Sequence, residues 1–514
     1  MSENTTPNFI LKFFKSDRGR IKLEASSELI LNRIQTKFSV TNPSYRFSRY
    51  AQPTISPISP NGSFLPGMIF DICVEIKKEI PSIKLDFQNV KDIILPFSYN
   101  IEALEQPENT KYKYFDYQEV AIKVCLKNGR GCIVCATSGG KSLIMYGLIK
   151  NLWQHTGKTG RLLILVPNIQ LVKQMQSDFI DYGCSPDKIC VFSSFAKDIE
   201  DKQIIISNRQ WLERHSEELP TDFEYLFCDE MHTLAASNKV SLYVNKFKTQ
   251  SKFGFTATLP DKETAFMDYY NAIGICGKVL FTRLAKELQE TGSISNLKII
   301  SIKFNHVGVK QPEPPTTKQL LNKDGEVIKT VELDDFERAQ LKYSTEWAFI
   351  EKCKNSNETL SKLALSLKKN TILLFDHTEH GKTLLEIINR LNVNNAKLVY
   401  FINGETEVEI REDIRKDMET KDNIILIANT KCLGTGISIK NIFNLIFGFT
   451  SAKSAVKVLQ AIGRSLRKLE GKQFAILYDI YHSFKYSTQH FGIRLKMYNK
   501  NYKVEDIIYK EIKI

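Results

Sequence analysis

Short, continuous apolar runs punctuate two long stretches of this chain. Between about residues 110 and 280 they fall at Cys132–Cys135, Leu162–Val166, Ile204–Ile206, Tyr225–Cys228 and Gly254–Phe255, with segments of helical periodicity between them. The rhythm returns at Thr371–Phe375, Lys397–Phe401, Ile424–Ala428, Leu445–Gly448 and Ala475–Tyr478. A strand that is apolar on both sides must be covered on both faces, and alternation with helices supplies that cover. The pattern predicts an α/β chain with two parallel-sheet lobes in tandem.

The first hundred residues read differently, as a small α+β N-terminal domain. Phe9–Phe14 and Arg20–Leu23 alternate as strands joined by a turn at Ser16–Gly19, and Ser26 or Ser27 can cap a helix reaching about Ile34. In Tyr45-Arg46-Phe47-Ser48-Arg49-Tyr50 aromatics alternate with cations. Rings stack on bases while guanidiniums hold phosphates, so Arg46 and Arg49 are candidate nucleic-acid contacts. The same period of two also describes a strand with one apolar face. Pro53, Pro57, Pro60 and Pro66 predict a loop or linker over 51–66. Residues 305–369 hold a proline-rich turn and long charged helical stretches. The divisions expected are 1–100, 101–288 and 289–514, the last with a basic tail.

Charge adds a partner. The net charge is +13. Residues 1–50 carry nine Lys/Arg against four Asp/Glu, and residues 453–514 carry thirteen against five, so the two ends hold the whole excess. Basic ends on a neutral body suit a polyanion. No run approaches the ~18 apolar residues of a membrane span, and the N-terminus is polar, so a cytoplasmic chain without a membrane partner is expected. The ten cysteines are irregularly spaced; Cys132 and Cys135 form a lone C-x-x-C, read as buried free thiols.

Three local patterns carry chemistry. Ala136-Thr137-Ser138-Gly139-Gly140-Lys141-Ser142 follows an apolar run and opens an amphipathic segment. Strand, glycine turn and helix N-terminus make an anion site; Lys141 can reach the β- and γ-phosphates of a nucleotide and Ser142 can hold Mg²⁺. Asp229-Glu230-Met231-His232 ends another apolar run. There Asp229 would hold Mg²⁺ and Glu230 would deprotonate the attacking water. In Gln460-Ala461-Ile462-Gly463-Arg464-Ser465-Leu466-Arg467 two arginines three apart would share a helix face and clamp a γ-phosphate.

These patterns, in this order over about residues 110–480, resemble the superfamily 2 DExH helicases and translocases. The resemblance implies two RecA-like lobes. It also implies ATP and Mg²⁺ as cofactors, with Thr137, Ser138, Gly139 and Gly140 around the phosphates, Gln118 reading the adenine and Gly436 of Gly434–Ser438 at the nucleotide. Pro167, Gln174 and Arg209 would contact the nucleic-acid strand, Thr256, Thr258 and His232 would couple hydrolysis to movement, and Gln460 would join Arg464 and Arg467 at the catalytic site. Phe375-Asp376-His377 and Gly404-Glu405 with Arg411 resemble the lesser motifs of the second lobe. The departures are Cys135 and Ser138 where glycine is usual, Ser142 where threonine is commoner, and the absence of an Asp-x-x-x-Arg-Gly form. The Thr-Ser-x-Gly-Lys-Ser loop, His380-Gly381-Lys382 and the N-terminal Tyr-Arg-Phe are similar to phage recombination and repair helicases.

The implied activity is ATP-dependent unwinding or branch migration of branched or single-stranded DNA. The implied motor is monomeric, with recombination or single-strand-binding proteins as further partners. An RNA helicase, the motor subunit of a restriction or repair complex, and an ATP-switched nucleic-acid clamp are the alternatives.

Overall fold

The computed structural model describes residues 9–16, 19–42, 45, 51–157, 160–192, 201–215, 222–234, 240, 243–244, 247, 249–263, 265–321, 327–433, 439–448 and 455–514. It divides into two compact units, Met1–Leu284 and Ala285–Ile514.

The first unit begins with a four-stranded sheet in the order Ser63–Phe64, Arg20–Ala25, Ile10–Ser16, Lys84–Asp86. The two long strands are antiparallel and the last pair is parallel. Leu11, Phe13, Ile21 and Leu23 alternate inward and are buried, as the period of a half-buried strand requires. Ser27 caps the helix Glu28–Lys37 by accepting from Leu29 N–H. The expected linker over 51–66 is instead part of this body. Ile58, Phe64 and Leu65 are buried between the prolines, and Ser63–Phe64 pairs with Arg20–Ala25. Arg46 and Arg49 lie outside the described residues.

This domain is packed onto the sheet that follows. Phe38 meets Tyr270 edge-on at 5.4 Å between ring centroids, and Lys262 pairs with Asp71 at 3.1 Å. The buried Arg130 guanidinium donates to the carbonyls of Ile93, Ile275 and Cys276. Gly67 approaches Ile273 so closely that a Cβ would lie 2.0 Å from its carbonyl oxygen.

The following sheet has seven strands in the order Val279–Arg283, Gly131–Cys135, Lys252–Thr256, Tyr225–Cys228, Leu162–Val166, Ile204–Asn208, Ile189–Phe192. Every pairing is parallel. The five apolar runs are its central strands; Val279–Arg283 and Ile189–Phe192, not anticipated, are its edges. Cys132 and Cys135 are buried free thiols.

The second unit holds another all-parallel sheet, ordered Val399–Ile402, Ile425–Asn429, Thr371–Phe375, Asn444–Phe447, Phe474–His482, Asn296–Asn305, Val504–Lys513. The basic C-terminal segment is therefore not a tail: Phe474–His482 and Val504–Lys513 flank Asn296–Asn305, with the helix Lys485–Asn501 between them. Arg494 and Asp479 form an ion pair at 2.6 Å there with both side chains buried, and Tyr498 also donates to Asp479 at 2.7 Å. Residues 305–369 carry the expected helices Asp335–Lys352 and Lys354–Ser366, preceded by an antiparallel pair, Thr317–Leu321 with Val327–Glu332. Among the described residues no helix is long and apolar enough to cross a membrane.

Candidate nucleotide site and motor elements

The strand Gly131–Cys135 leads into a tight loop and the helix Lys141–Thr156. The loop needs left-handed backbone at Ser138 (φ 70°) and at Gly140 (φ 72°), which is the helix N-cap. Glycine tolerates that conformation; serine occupies it at a cost. Beneath the loop, the Gly139 carbonyl accepts from Tyr117 OH at 3.0 Å and from Gln118 Nε2 at 3.3 Å. The other end of the Gln118 amide accepts from Phe115 N–H at 2.9 Å. Gln118 is only 1% exposed, and a Cβ on Gly140 would lie 2.4 Å from its Nε2. Gln118 is thus a floor under the loop, with one bond at each end of an amide that can make four. The Arg283 guanidinium lies 5.0 Å from the Tyr117 ring centroid, a cation–π contact not anticipated from the sequence.

Thr137, Ser138, Gly140, Lys141 and Ser142 are half-buried at the loop and helix start, and Gly139 is buried. Lys141 Nζ donates to the Cys135 carbonyl at 3.3 Å and lies 4.0 Å from Glu230 Oε1. Ser142 Oγ is 2.9 Å from Tyr182 OH, forty positions along the chain, a partner that no local motif announces.

Asp229 and Glu230 follow the strand Tyr225–Cys228, and Asp229 N–H donates to the Leu165 carbonyl at 2.8 Å. Burial, and then the neighbouring Glu230 charge, push the Asp229 carboxyl up to about 7. Glu230 holds a left-handed φ of 44°, which turns its side chain away from the strand direction. Its Oε2 lies 3.3 Å from Thr256 Oγ1 and 3.5 Å from His232 Nδ1. His232 Nδ1 and Thr256 Oγ1 are 2.8 Å apart, and Thr256 Oγ1 also reaches the Thr258 backbone at both its carbonyl (2.8 Å) and its N–H (3.2 Å). Burial lowers the His232 pKa, so its ring is neutral near pH 7.

The structure therefore brings Lys141, Glu230, His232, Thr256 and Thr258 together. The donor set fits a nucleotide with a small hard cation. The loop admits no Cβ at Gly140, and Ser142 and Asp229 offer oxygen ligands, the type Mg²⁺ takes while keeping several waters. Among the described residues no group of three or more His, Cys, Asp or Glu could hold a metal by itself.

Of the expected strand contacts, Pro167 and Gln174 are half-buried, at the end of Leu162–Val166 and on the helix Ile169–Asp181. Arg209 is half-buried, its guanidinium bound to Glu213 at 2.9 Å and to the Thr233 carbonyl at 2.7 Å, which braces the segment after Glu230.

In the second unit Gln460 is buried on the helix Ala455–Ser465 and Arg464 lies in its last turn. Arg467 falls beyond the helix end, with its N–H directed at the Arg464 carbonyl at 3.4 Å. The two arginines therefore do not share a helix face: the chain leaves the helix before the second. Lys472 stabilises that exit. Its buried ammonium donates to the carbonyls of Ser465 (2.5 Å), Arg467 (3.2 Å) and Lys440 (3.1 Å). Asp376 accepts from the Thr430 hydroxyl, and its carbonyl accepts from Asn429 Nδ2 at 2.9 Å. Arg411 donates to the carbonyls of Asn403 and Gly404. Gly436 lies outside the described residues.

Two family descriptions match this chain: Type III restriction enzyme, res subunit, over residues 111–261, and Helicase conserved C-terminal domain, over residues 355–468. The ATP-dependent DNA helicase uvsW of Enterobacteria phage T4 is 27% identical over 394 residues, covering 75% of this chain and 72% of that protein. The DNA 3'-5' translocase XPB2 of Sulfurisphaera tokodaii is 24% identical over 396 residues, covering 71% and 81%. Among solved structures, the fragment of an HsdR-type subunit of a type I restriction enzyme from Vibrio vulnificus has a TM-score of 0.54 at 19% identity. It covers 77% of this chain and 68% of that one, a likeness of fold.

Proposed function

This chain belongs to the superfamily 2 helicases and is an ATP-hydrolysing nucleic-acid motor; on that premise we propose that it is a DNA translocase that unwinds or branch-migrates branched DNA. The observation that carries the motor reading into residues is the convergence of Lys141, Glu230, His232 and Thr256, because it joins the phosphate loop to the element that would report on its contents.

In this reading Lys141 leaves the Cys135 carbonyl and binds the β- and γ-phosphates of ATP. Thr137, Ser138, Gly139 and Gly140 surround them on the loop that Tyr117 and Gln118 support. Ser142 and Asp229 would hold Mg²⁺, which screens the phosphate charge when bound. Glu230 takes the proton of the attacking water. Arg464 and Arg467 supply positive charge to the transferring phosphoryl group, and Gln460, one turn before Arg464 on the same helix, joins them at the catalytic site. Loss of the γ-phosphate frees Lys141 and alters the charge beside Glu230, and Thr256 and His232 pass that change on. Grip on the strand backbone, through Pro167, Gln174 and the basic ends of the chain, implies low sequence preference and strong salt dependence.

DNA is favoured over RNA because two relatives that share more than 70% of their length with this chain are a DNA helicase and a DNA translocase by name. The test is the steady-state ATPase rate at fixed salt with no nucleic acid, single-stranded DNA, duplex, a four-way junction and matched RNA. Highest stimulation by the junction supports the proposal; highest stimulation by RNA overturns it. Glu230→Gln should abolish turnover and keep ATP binding, and a variant that hydrolyses at the wild-type rate removes Glu230 from catalysis.

A further inference from the structure

Ser142 is where this chain places a serine beside the phosphate loop, and its hydroxyl is already engaged with Tyr182 OH at 2.9 Å. A hydroxyl has one proton and two lone pairs. To face a cation it must turn a lone pair inward and send its proton to another acceptor. A threonine is held to few rotamers by its branch, whereas a serine has no such restraint.

Tyr182 is placed where it can be that acceptor, since either hydroxyl of the pair can donate at 2.9 Å. It is the C-cap residue of the helix Ile169–Asp181, where its N–H donates to the Asp178 carbonyl at 3.0 Å. Its own carbonyl accepts from Asn109 N–H at 3.2 Å. Its ring meets Tyr112 edge-on at 4.9 Å and Tyr146 at 5.7 Å, and the residue is 9% exposed. Backbone and ring are both fixed, so the phenol oxygen has a set position at Ser142.

We propose that Tyr182 is a positioning residue for the divalent cation of the nucleotide: its phenol oxygen accepts the Ser142 proton and turns a serine lone pair toward the cation. The proposal rests on the reading of Ser142 as a Mg²⁺ ligand. It also ties that ligand to the helix carrying Gln174, so displacement of the helix would alter cation binding.

The experiment titrates Mg²⁺ into the full chain with a fluorescent ATP analogue and repeats the binding in EDTA. Ser142→Ala tests the underlying reading: if its Mg²⁺ requirement equals that of wild type, Ser142 is not a ligand. With that established, Tyr182→Phe, which keeps the ring contacts, should raise the Mg²⁺ concentration for half-maximal binding about fivefold, the scale of one hydrogen bond. Binding in EDTA should stay unchanged, and the melting temperature should fall by no more than a few degrees, the effect of one hydrogen bond. Adding Ser142→Thr to Tyr182→Phe should restore most of the loss, because the branch then sets the rotamer. An unchanged Mg²⁺ requirement in Tyr182→Phe overturns the proposal, and a lowered one shows the phenol competing with the cation. A double variant that stays at the weakened level overturns the rotamer account.

Discussion

His232 and Thr256 meet at 2.8 Å, imidazole Nδ1 to hydroxyl Oγ1, and both lie within 3.5 Å of the Glu230 carboxylate. The neutral ring and the hydroxyl together hold one carboxylate orientation on a left-handed backbone. Thr256→Val keeps the shape and removes the hydroxyl. Misplacing a catalytic group by a small distance can cost about 10²-fold, so kcat should fall by roughly ten- to a hundredfold with KM for ATP little changed. Steady-state kinetics with saturating DNA checks it; wild-type turnover would make the pair a packing feature only.

Ser138 and Gly140 share a backbone conformation and should respond oppositely to substitution. Gly140→Ala adds a Cβ 2.4 Å from Gln118 Nε2 at φ 72°. Left-handed backbone alone costs about 1–2 kcal/mol for a residue with a Cβ, and Gln118 cannot yield without losing the Gly139 carbonyl. Nucleotide affinity should drop at least about tenfold, the equivalent of ~1.4 kcal/mol. Ser138→Gly relieves strain of similar size, against about 0.4–1 kcal/mol of added unfolded-state entropy. It should melt close to wild type and retain full turnover. Calorimetric melting and nucleotide titration of the two variants decide the matter.

The parts of this fold that were legible are those where one physical requirement dominates. Leu162–Val166 is buried at every position, and only a strand covered on both faces explains such a run. Asn296–Asn305 was missed because Lys298 and Lys303 interrupt the run at half-buried positions, and Val504–Lys513 because an edge strand leaves Ile508 and Tyr509 exposed. The prolines of 51–66 marked irregular backbone correctly, but irregular backbone here folds into a core through Ile58 and Phe64. At the site, residues joined by short motifs were readable, whereas Tyr182 reaches Ser142 only through the packing of two helices. Arg467 was misplaced because periodicity does not reveal where a helix stops, and the stop is held by Lys472, a residue outside the motif.

Lys472 offers a test of the arginine segment independent of the arginines. Its ammonium satisfies the carbonyls of Ser465, Arg467 and Lys440 while 5% exposed. Lys472→Met retains the apolar stem and strands the buried Ser465 carbonyl, a loss of about 1–3 kcal/mol, while the part-buried Arg467 and Lys440 carbonyls can turn to water. The variant should melt lower, and its kcat should fall about tenfold, as expected when a charged group loses its alignment, while ATP binding stays near wild type. Unchanged kcat in a destabilised variant would confine Lys472 to stability.

Asp229 predicts a conflict between stability and activity. Its carboxyl titrates at about 7 against an ordinary value of 3.8, through burial first and the Glu230 charge second. The folded state therefore binds this proton more tightly than the unfolded chain does. The associated stability is fully present below pH 3.8, declines as pH rises, and is gone once pH passes about 7. Asp229→Asn stays neutral throughout and avoids that decline. Its melting temperature without nucleotide should exceed that of wild type, with the gain widening from about pH 4 to pH 7 and level above. Turnover should be lost at every pH, because a neutral amide cannot replace the carboxylate proposed to hold Mg²⁺. Thermal melts of both proteins across this range check the sign. A variant that melts with or below wild type at pH 8 would mean that the Asp229 charge is compensated in the fold.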